Sequence, residues 1–592
     1  MTYRAPVESI AFTLDAIAGL AEDIAAGAAG ELTADMVPGI LEEAGRFAAG
    51  RLAPVNRQGD KVGAKLKDGV VSLPEGWPQI YRDWAGAGWN GVDLASEWGG
   101  LGLPTRLATV AMEFWTSACM GFALGPVLTQ GAADTILLHA SEELKAKYLP
   151  KLVSGEWTAT MNLTEPQAGS DLGALTTRAV PQGDGTYKIT GNKIFITYGE
   201  HDLTENIIHL VLARLPDAPP GTKGISLFLV PKVMVCADGS LGARNDVKCA
   251  GIEHKLGIHA SPTCAMVFGD QGGATGWLIG EESRGLNCMF TMMNKARLFT
   301  GLQGVAMAER SYQQALDYAK TRKQGRALDA KPGQSSLIIA HPDVRRNLAS
   351  MRAMTAAARA IAYNAARAID LAHASPDAET RQRANELAGL LTPITKAYCT
   401  DLGCEVTSIG VQIHGGMGYV EETGAAQHFR DARIAPIYEG TNGIQAIDLV
   451  LRKVLRPGSS LTEEVIADFR MLGQAAEKVT SPAFGHLGAL VREATEALQS
   501  ATNWLRQNDN NAEALLSSAS PYLRLFGMAA GAAYLARGAL AAHGRLEAGE
   551  TAPVFAQAIA DARFFAETIA VLAPSVARIV CDSQVVPEAD FG

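Results

Sequence analysis

The hydrophobic pattern of this chain changes period twice. Up to Gly155 apolar residues recur at helical spacing, from 156 to 285 turn residues and β-branched alternation take over, and from Leu286 helical spacing returns. Helices, then strands, then helices exclude a Rossmann unit or a TIM barrel, in which strand and helix alternate. The order predicts an α+β protein, mostly α. Four domains are expected: an N-terminal helical domain with an extension (1–158), a central β domain (159–285), a helical bundle (286–456) and an additional helical domain (461–592), with Pro457–Ser460 as linker.

Within the first part, residues 8–30 read as one helix ending at Gly30, and a second helix runs from Thr33 to about Gly50. Asn56–Gly63 and the span holding Trp77, Trp84, Trp89 and Trp98 read as loop, and helix resumes over 105–153. In the β domain, alternation around Gly191-Asn192 reads as a hairpin signal, with Asp184-Gly185 marking the turn before it. Ile225–Val230 and Cys264–Phe268 read as strands. Bundle helices are expected over 286–323, 342–373, 380–409 and 442–456. Ile444, Ile447, Leu451 and Val454 fall on one face, which predicts that they are buried together.

Composition narrows the class. Of 592 residues 47% are hydrophobic and 19% charged, enough apolar surface to offset the entropy of ordering the chain. Lys plus Arg number 52 and Asp plus Glu 62, a net charge of −10, which argues against a nucleic-acid partner. The eight cysteines are sparse and unpaired in spacing, which indicates a reducing compartment and no metal site. The N-terminus lacks a signal core. The uncharged run between Glu113 and Asp134 carries Pro126 and polar residues, so no transmembrane segment and a cytoplasmic location are expected. Leu525–Ala536, at 12 residues, is too short to span a bilayer.

Met161-Asn-Leu-Thr-Glu-Pro-Gln-Ala-Gly-Ser-Asp171 opens the β domain. Read alone it is a Pro/Gly turn that presents hydroxyls and backbone N–H groups. Gln412-Ile-His-Gly-Gly-Met-Gly-Tyr419 and Ile434-Ala-Pro-Ile-Tyr-Glu-Gly-Thr-Asn-Gly-Ile-Gln445 lie further on. Lys255-Leu-Gly, Ser261-Pro-Thr263 and Tyr318-Ala-Lys-Thr-Arg322 stand between. In this order these segments resemble the T-E-P-x-A-G-S-D, Q-x-x-G-G-x-G-[YF] and I-Y-E-G-T signatures of the FAD-dependent acyl-CoA dehydrogenases. The N-terminal extension and the last helical region resemble a longer subgroup that includes 3-methylmercaptopropionyl-CoA dehydrogenases.

The resemblance implies a reaction and a set of residues. The reaction is α,β-dehydrogenation of an acyl-CoA thioester to the trans-2-enoyl-CoA, the acyl group being 3-methylmercaptopropionyl or a short or medium chain. It implies Glu439 as the base, and proton abstraction beside a thioester needs such a carboxylate close and desolvated. Another helix supplies the base in some members, at the position of Ala296 here, and alanine has no basic group. Leu163, Thr164, Phe195 and Thr197 are implied at the flavin, and Ser170 on the phosphate or pantetheine side, touching cofactor and substrate. Phe195 replaces the family's tryptophan. Arg322, Gln412 and Gly416 are implied to reach a neighbouring subunit's FAD, Thr441 to border the cofactor, and Arg297 and Gly440 to hold the substrate. Lys323-Gln-Gly-Arg326 and Gly443 depart from the family pattern near the adenine end. Arg430-Asp431 matches a structural pair. The implied partners are an electron-transfer flavoprotein and further copies of the chain as a homodimer or homotetramer. The alternatives are an acyl-CoA oxidase that hands electrons to oxygen, and a noncatalytic flavoprotein relative.

Overall fold

The computed structural model describes residues 3–328 and 330–582. Its N-terminal third is helical, as the pattern predicts, with two corrections. The first helix is broken: Val7–Phe12 runs into a π-helical turn, Thr13–Ile17, and the chain restarts at Leu20 after Gly19 in a left-handed conformation. Two stretches read as loop are helices instead, Ala53–Val62 and Trp77–Gly86. Trp77, Ile80, Tyr81 and Trp84 are buried at helical spacing, with Trp84 edge-on to Trp115 and Trp77 to Phe122. Aromatic packing, rather than turn chemistry, explains the tryptophans.

The β domain is an eight-stranded sheet. Its order is Val247–Ile252, Thr263–Phe268, Tyr187–Thr197, Ala274–Ile279, Ile225–Pro231, Ile207–Arg214, Thr158–Asn162. The short strand Arg178–Pro181 pairs with both Tyr187–Thr197 and Ile207–Arg214, which closes part of the sheet on itself. The hairpin turn lies at Asp184-Gly185, where Gln182 N–H donates to the Thr186 carbonyl. Gly191-Asn192 sits inside the Tyr187–Thr197 strand and makes no turn: Gly191 pairs opposite Phe268 and Asn192 opposite Val267.

The bundle is built from Gly285–Thr321, Pro342–Ala374 and Ala378–His414, with the short Asn442–Asp448 helix and a π-helical turn, Leu449–Val454, beside them. The buried face of this last segment is Gln445, Ala446, Leu449, Val450 and Val454, whereas Ile444 and Leu451 are exposed. Through Val450 the buried face keeps helical spacing on 445, 446, 449 and 450, so Ile444 falls beside it, and the π-helical turn alters the spacing only after Leu449. Arg430 pairs with Asp60 and Glu421 and donates to the Leu256 carbonyl, while Asp431 accepts from Ile258 N–H, so this pair ties bundle, β domain and N-terminal helices together.

Beyond residue 460 come Leu461–Glu477, Leu487–Gln507, Ala512–Glu547, Pro553–Thr568 and Ala573–Cys581. A Cβ on Gly527 would stand 2.3 Å from the Tyr398 ring, so Ala512–Glu547 lies directly on the bundle helix Ala378–His414. The same helix holds the start of the chain: Arg537 donates to the Ile17 carbonyl at 3.1 Å, and a Cβ on Gly538 would meet Ile17 at 2.8 Å. Among the described residues three helical stretches are long and apolar enough to cross a membrane, Thr105–His139, Ala512–Glu547 and Pro553–Cys581. The sequence expectation differed because it measured only charge-free runs. Protein covers the first along its whole apolar window, most of the second and a third of the last.

Candidate functional site

Glu439 sits in a turn that the sequence forces. Its φ is +58° and that of Gly440 +83°, and Thr441 caps the following helix by accepting from Ile444 N–H. Two side chains hold the turn's carbonyls: Gln445 Nε2 donates to Glu439 O at 3.3 Å, and Arg297 Nε donates to the same oxygen at 3.4 Å. Asn442 N–H donates to Pro436 O at 3.1 Å and closes the loop. The Glu439 carboxyl, partly buried, accepts no hydrogen bond among the described residues. Burial pushes its pKa up, and Arg297 and Lys396 oppose the rise without cancelling it. A carboxylate that is desolvated and not engaged is a competent general base. Ala296 is buried one residue before Arg297 and presents no acid.

A second cluster lies at the end of strand Thr158–Asn162. Leu163 and Thr164 leave this strand beside Tyr187–Thr197: Ile194 N–H donates to Thr164 O at 3.0 Å, and Thr160 Oγ1 to Thr197 O at 2.8 Å. Phe195 is 58% exposed with φ +60°, so a left-handed kink turns an aromatic ring out of the sheet. The hydroxyls of Thr164, Thr197 and the exposed Ser170 make no hydrogen bond within the described chain. An outward aromatic ring flanked by unengaged hydroxyls fits a flat, polar-edged group such as a flavin. Sequence reasoning missed what fixes this loop. The Glu165 carboxylate accepts from Thr176 and Thr177, from both backbone and hydroxyl of each, and from Lys193 Nζ at 2.8 Å. Lys193 also donates to Leu163 O at 2.9 Å. Burial raises the Glu165 pKa, but Lys193 and the threonines more than offset this and hold it at about 2. The one clue in the sequence is a lysine at an inward position of an alternating strand.

Arg322, Gln412 and Gly416 share a third location. Tyr318, one turn before Arg322, stacks on His414 at 4.5 Å between ring centres, which brings the ends of two bundle helices together. Arg322, Gln412 and Gly416 are exposed there, beside Met417 and Tyr419, and Tyr419 is 88% exposed. No hydrogen bond among the described residues links them to the other two clusters.

Four family descriptions match the chain in sequence: "Acyl-CoA dehydrogenase, N-terminal domain" over 39–156, "middle domain" over 160–271, "C-terminal domain" over 283–455 and "Acetyl-CoA dehydrogenase C-terminal like" over 464–585. The chain is 46% identical over 578 residues to a 3-methylmercaptopropionyl-CoA dehydrogenase of Ruegeria pomeroyi, covering 96% of each. It is 40% identical over 460 residues to a butyryl-CoA dehydrogenase of Syntrophomonas wolfei, covering 75% of this chain and 74% of that one. In fold it resembles an acyl-CoA dehydrogenase complexed with FAD from Bacillus anthracis, with TM-score 0.72 at 22% identity over 95% and 90% of the chains. It also resembles Caenorhabditis elegans ACDH-11 in complex with C11-CoA, with TM-score 0.75 at 20% identity over 99% and 96%. An unengaged carboxylate, an outward aromatic ring in the β domain and these matches from residue 39 to 585 lead to one conclusion: this enzyme dehydrogenates acyl-CoA with FAD, and the chain belongs to the acyl-CoA dehydrogenase family.

Proposed function

We propose that Glu439 is the base that removes the α-proton of the acyl-CoA thioester. The observation that carries this is its partly buried carboxyl, which accepts no hydrogen bond and whose pKa burial raises. Bound FAD supplies the acceptor for the β-hydride. Leu163, Thr164, Phe195, Thr197, Ser170 and Thr441 would border that cofactor, with Phe195 as the aromatic wall. Arg297, anchored on the Glu439 carbonyl, and Gly440 would meet the substrate. A backbone N–H of the Glu439 turn has the freedom to donate to the thioester oxygen as charge develops there.

For the acyl group we propose 3-methylmercaptopropionyl-CoA, on the strength of the relative that matches from end to end. A short straight chain is the second reading, favoured by the butyryl-CoA dehydrogenases. An anaerobic titration with a panel of acyl-CoAs, following loss of flavin absorbance, separates them. The enzyme is proposed to act in the cytoplasm as a homodimer or homotetramer, with the exposed Arg322, Gln412 and Gly416 reaching a neighbour's FAD. Electrons would pass to an electron-transfer flavoprotein. Rapid aerobic turnover with peroxide release would assign the oxidase reaction instead, and a flavin that no acyl-CoA bleaches would assign the noncatalytic role.

A further inference from the structure

Lys396 stands in the bundle helix Ala378–His414 within a stretch, 391–400, that is buried at every position. It is 0% exposed and forms no ion pair among the described residues. Its one hydrogen bond runs from Nζ to Asn442 Oδ1 at 2.8 Å. A cation stripped of water and matched only to a neutral amide is unfavourable unless another charge answers it. The charges that answer it are carboxylates beyond hydrogen-bond contact, those of Glu439 and Asp401, while Arg297 opposes it.

Asn442 connects this lysine to the site. Its Nδ2 donates to Asp401 Oδ1 at 2.7 Å, Thr400 Oγ1 at 3.0 Å and Ala397 O at 3.1 Å. Its backbone N–H closes the 436–442 loop that carries Glu439. The amide is therefore fully committed, and Lys396 fixes it from the buried side. Arg297 also reaches this turn, donating from Nε to the Glu439 carbonyl at 3.4 Å, and feels the charges of Asp448, Glu439 and Arg452.

Resting on the reading of Glu439 as the base, we propose that Lys396 is a positioning residue for proton abstraction: its buried ammonium, seated on Asn442, holds the Glu439 turn and keeps the carboxyl ionised until the α-proton arrives. In that step the C–H bond breaks, the proton passes to a Glu439 oxygen and the electron pair stays with the substrate. Lys396 exchanges no proton. Burial draws its pKa down to about 7 against the pull of Glu439 and Asp401, so its charge is present on the acid side of neutrality, where an ionised Glu439 most needs support.

The test compares Lys396→Gln, Lys396→Arg and Lys396→Met as holoenzymes. Gln keeps a donor for Asn442 without the charge, Arg keeps the charge, and Met removes both. Two pH profiles are measured with butyryl-CoA or 3-methylmercaptopropionyl-CoA, whichever reduces the wild type faster. One is the anaerobic rate of flavin reduction. The other is incorporation of solvent deuterium at the α-carbon without an electron acceptor. The expected result is an acid limb displaced to higher pH in both profiles for Gln and Met, with rates at about pH 6 lowered roughly tenfold, and near-wild-type limbs for Arg. If Lys396→Met does not fold, the Gln and Arg pair makes the comparison. An unmoved limb in Lys396→Gln with FAD retained overturns the inference. Glu439→Gln separates this from the underlying reading: should that variant still reduce its flavin, the base assignment fails and Lys396's role with it. An inactive Glu439→Gln beside an unmoved Lys396→Gln profile defeats only the role of Lys396.

Discussion

Glu165 and Glu439 are each the acid of a signature segment, one in the β domain and one in the bundle, and their surroundings are opposite. Glu165 is saturated with donors and held at about 2, well below the ordinary glutamate range. Glu439 has cations near its backbone and none bonded to its carboxyl, and burial drives it upward. Glu165 is buried and Glu439 partly buried, so burial alone does not explain why the less buried carboxyl is the one shifted upward. The count of donors does: a carboxylate with every lone pair engaged is a structural brace, and one with none is free to take a proton.

The sharpest way to break this contrast is Glu439→Gln. It should fold, keep FAD and lose about 10²–10⁴-fold in flavin reduction, the scale of a missing general base. Stopped-flow reduction checks it, and near-wild-type rates would remove the distinction altogether. The same variant should be no less stable than wild type at neutral pH. A carboxyl whose folded pKa is raised contributes stability at low pH that is lost as pH rises through that pKa, and glutamine escapes the loss.

Glu165→Gln should behave in reverse. It leaves Lys193 buried with a weaker partner, which costs about 3–5 kcal/mol when such a pair is broken. Denaturant melts should show the loss, and flavin stoichiometry should fall because the 163–177 loop is released. A depressed folded pKa gives stability that is present above the ordinary glutamate value and disappears as pH falls towards about 2. The gap between variant and wild type should therefore narrow in acid. A variant with wild-type melts at pH 7 would show that the brace is idle.

Arg322→Ala tests the third cluster and should weaken FAD retention roughly 10- to 150-fold, the size of one charge-assisted contact of about 1.5–3 kcal/mol. Sedimentation measured alongside absorbance decides whether assembly and flavin are lost together; a monomer with full FAD refutes the link. The smallest effect belongs to Thr441→Ala, which removes a helix cap worth about 1 kcal/mol. Its expected signature is a slightly lower melting point of the holoenzyme, read in a thermal melt beside wild type.

The helix–sheet–helix order and the position of Glu439 were legible because periodicity and a motif are local properties of sequence. The two helices read as loops were not, since Trp77–Gly86 owes its stability to aromatic contacts with residues 115 and 122. Nor was the Gly191 position, where pairing with Phe268, distant in sequence, continues the strand. Lys193 and Lys396 escaped notice because each acts through a partner far away in sequence, and Gln445 because its bond to the Glu439 carbonyl exists only once the turn between them has formed. The exposed Ile444 and Leu451 show the same limit: apolar spacing alone does not say which face meets the bundle, and here the adjacent face with Gln445, Ala446, Leu449 and Val450 is buried instead.

The seat of Ile17 against Arg537 and Gly538 bears on the order in which the protein is made. Residues 7–17 leave the ribosome early, yet the surface that receives them is completed more than 500 residues later. Until then Phe12, which ends edge-on to Phe555, and Ile17, which ends against Gly538, lack their final cover. A nascent chain of this protein should therefore expose this segment through most of its synthesis. That interval, rather than the finished fold, is where a chaperone has most to do.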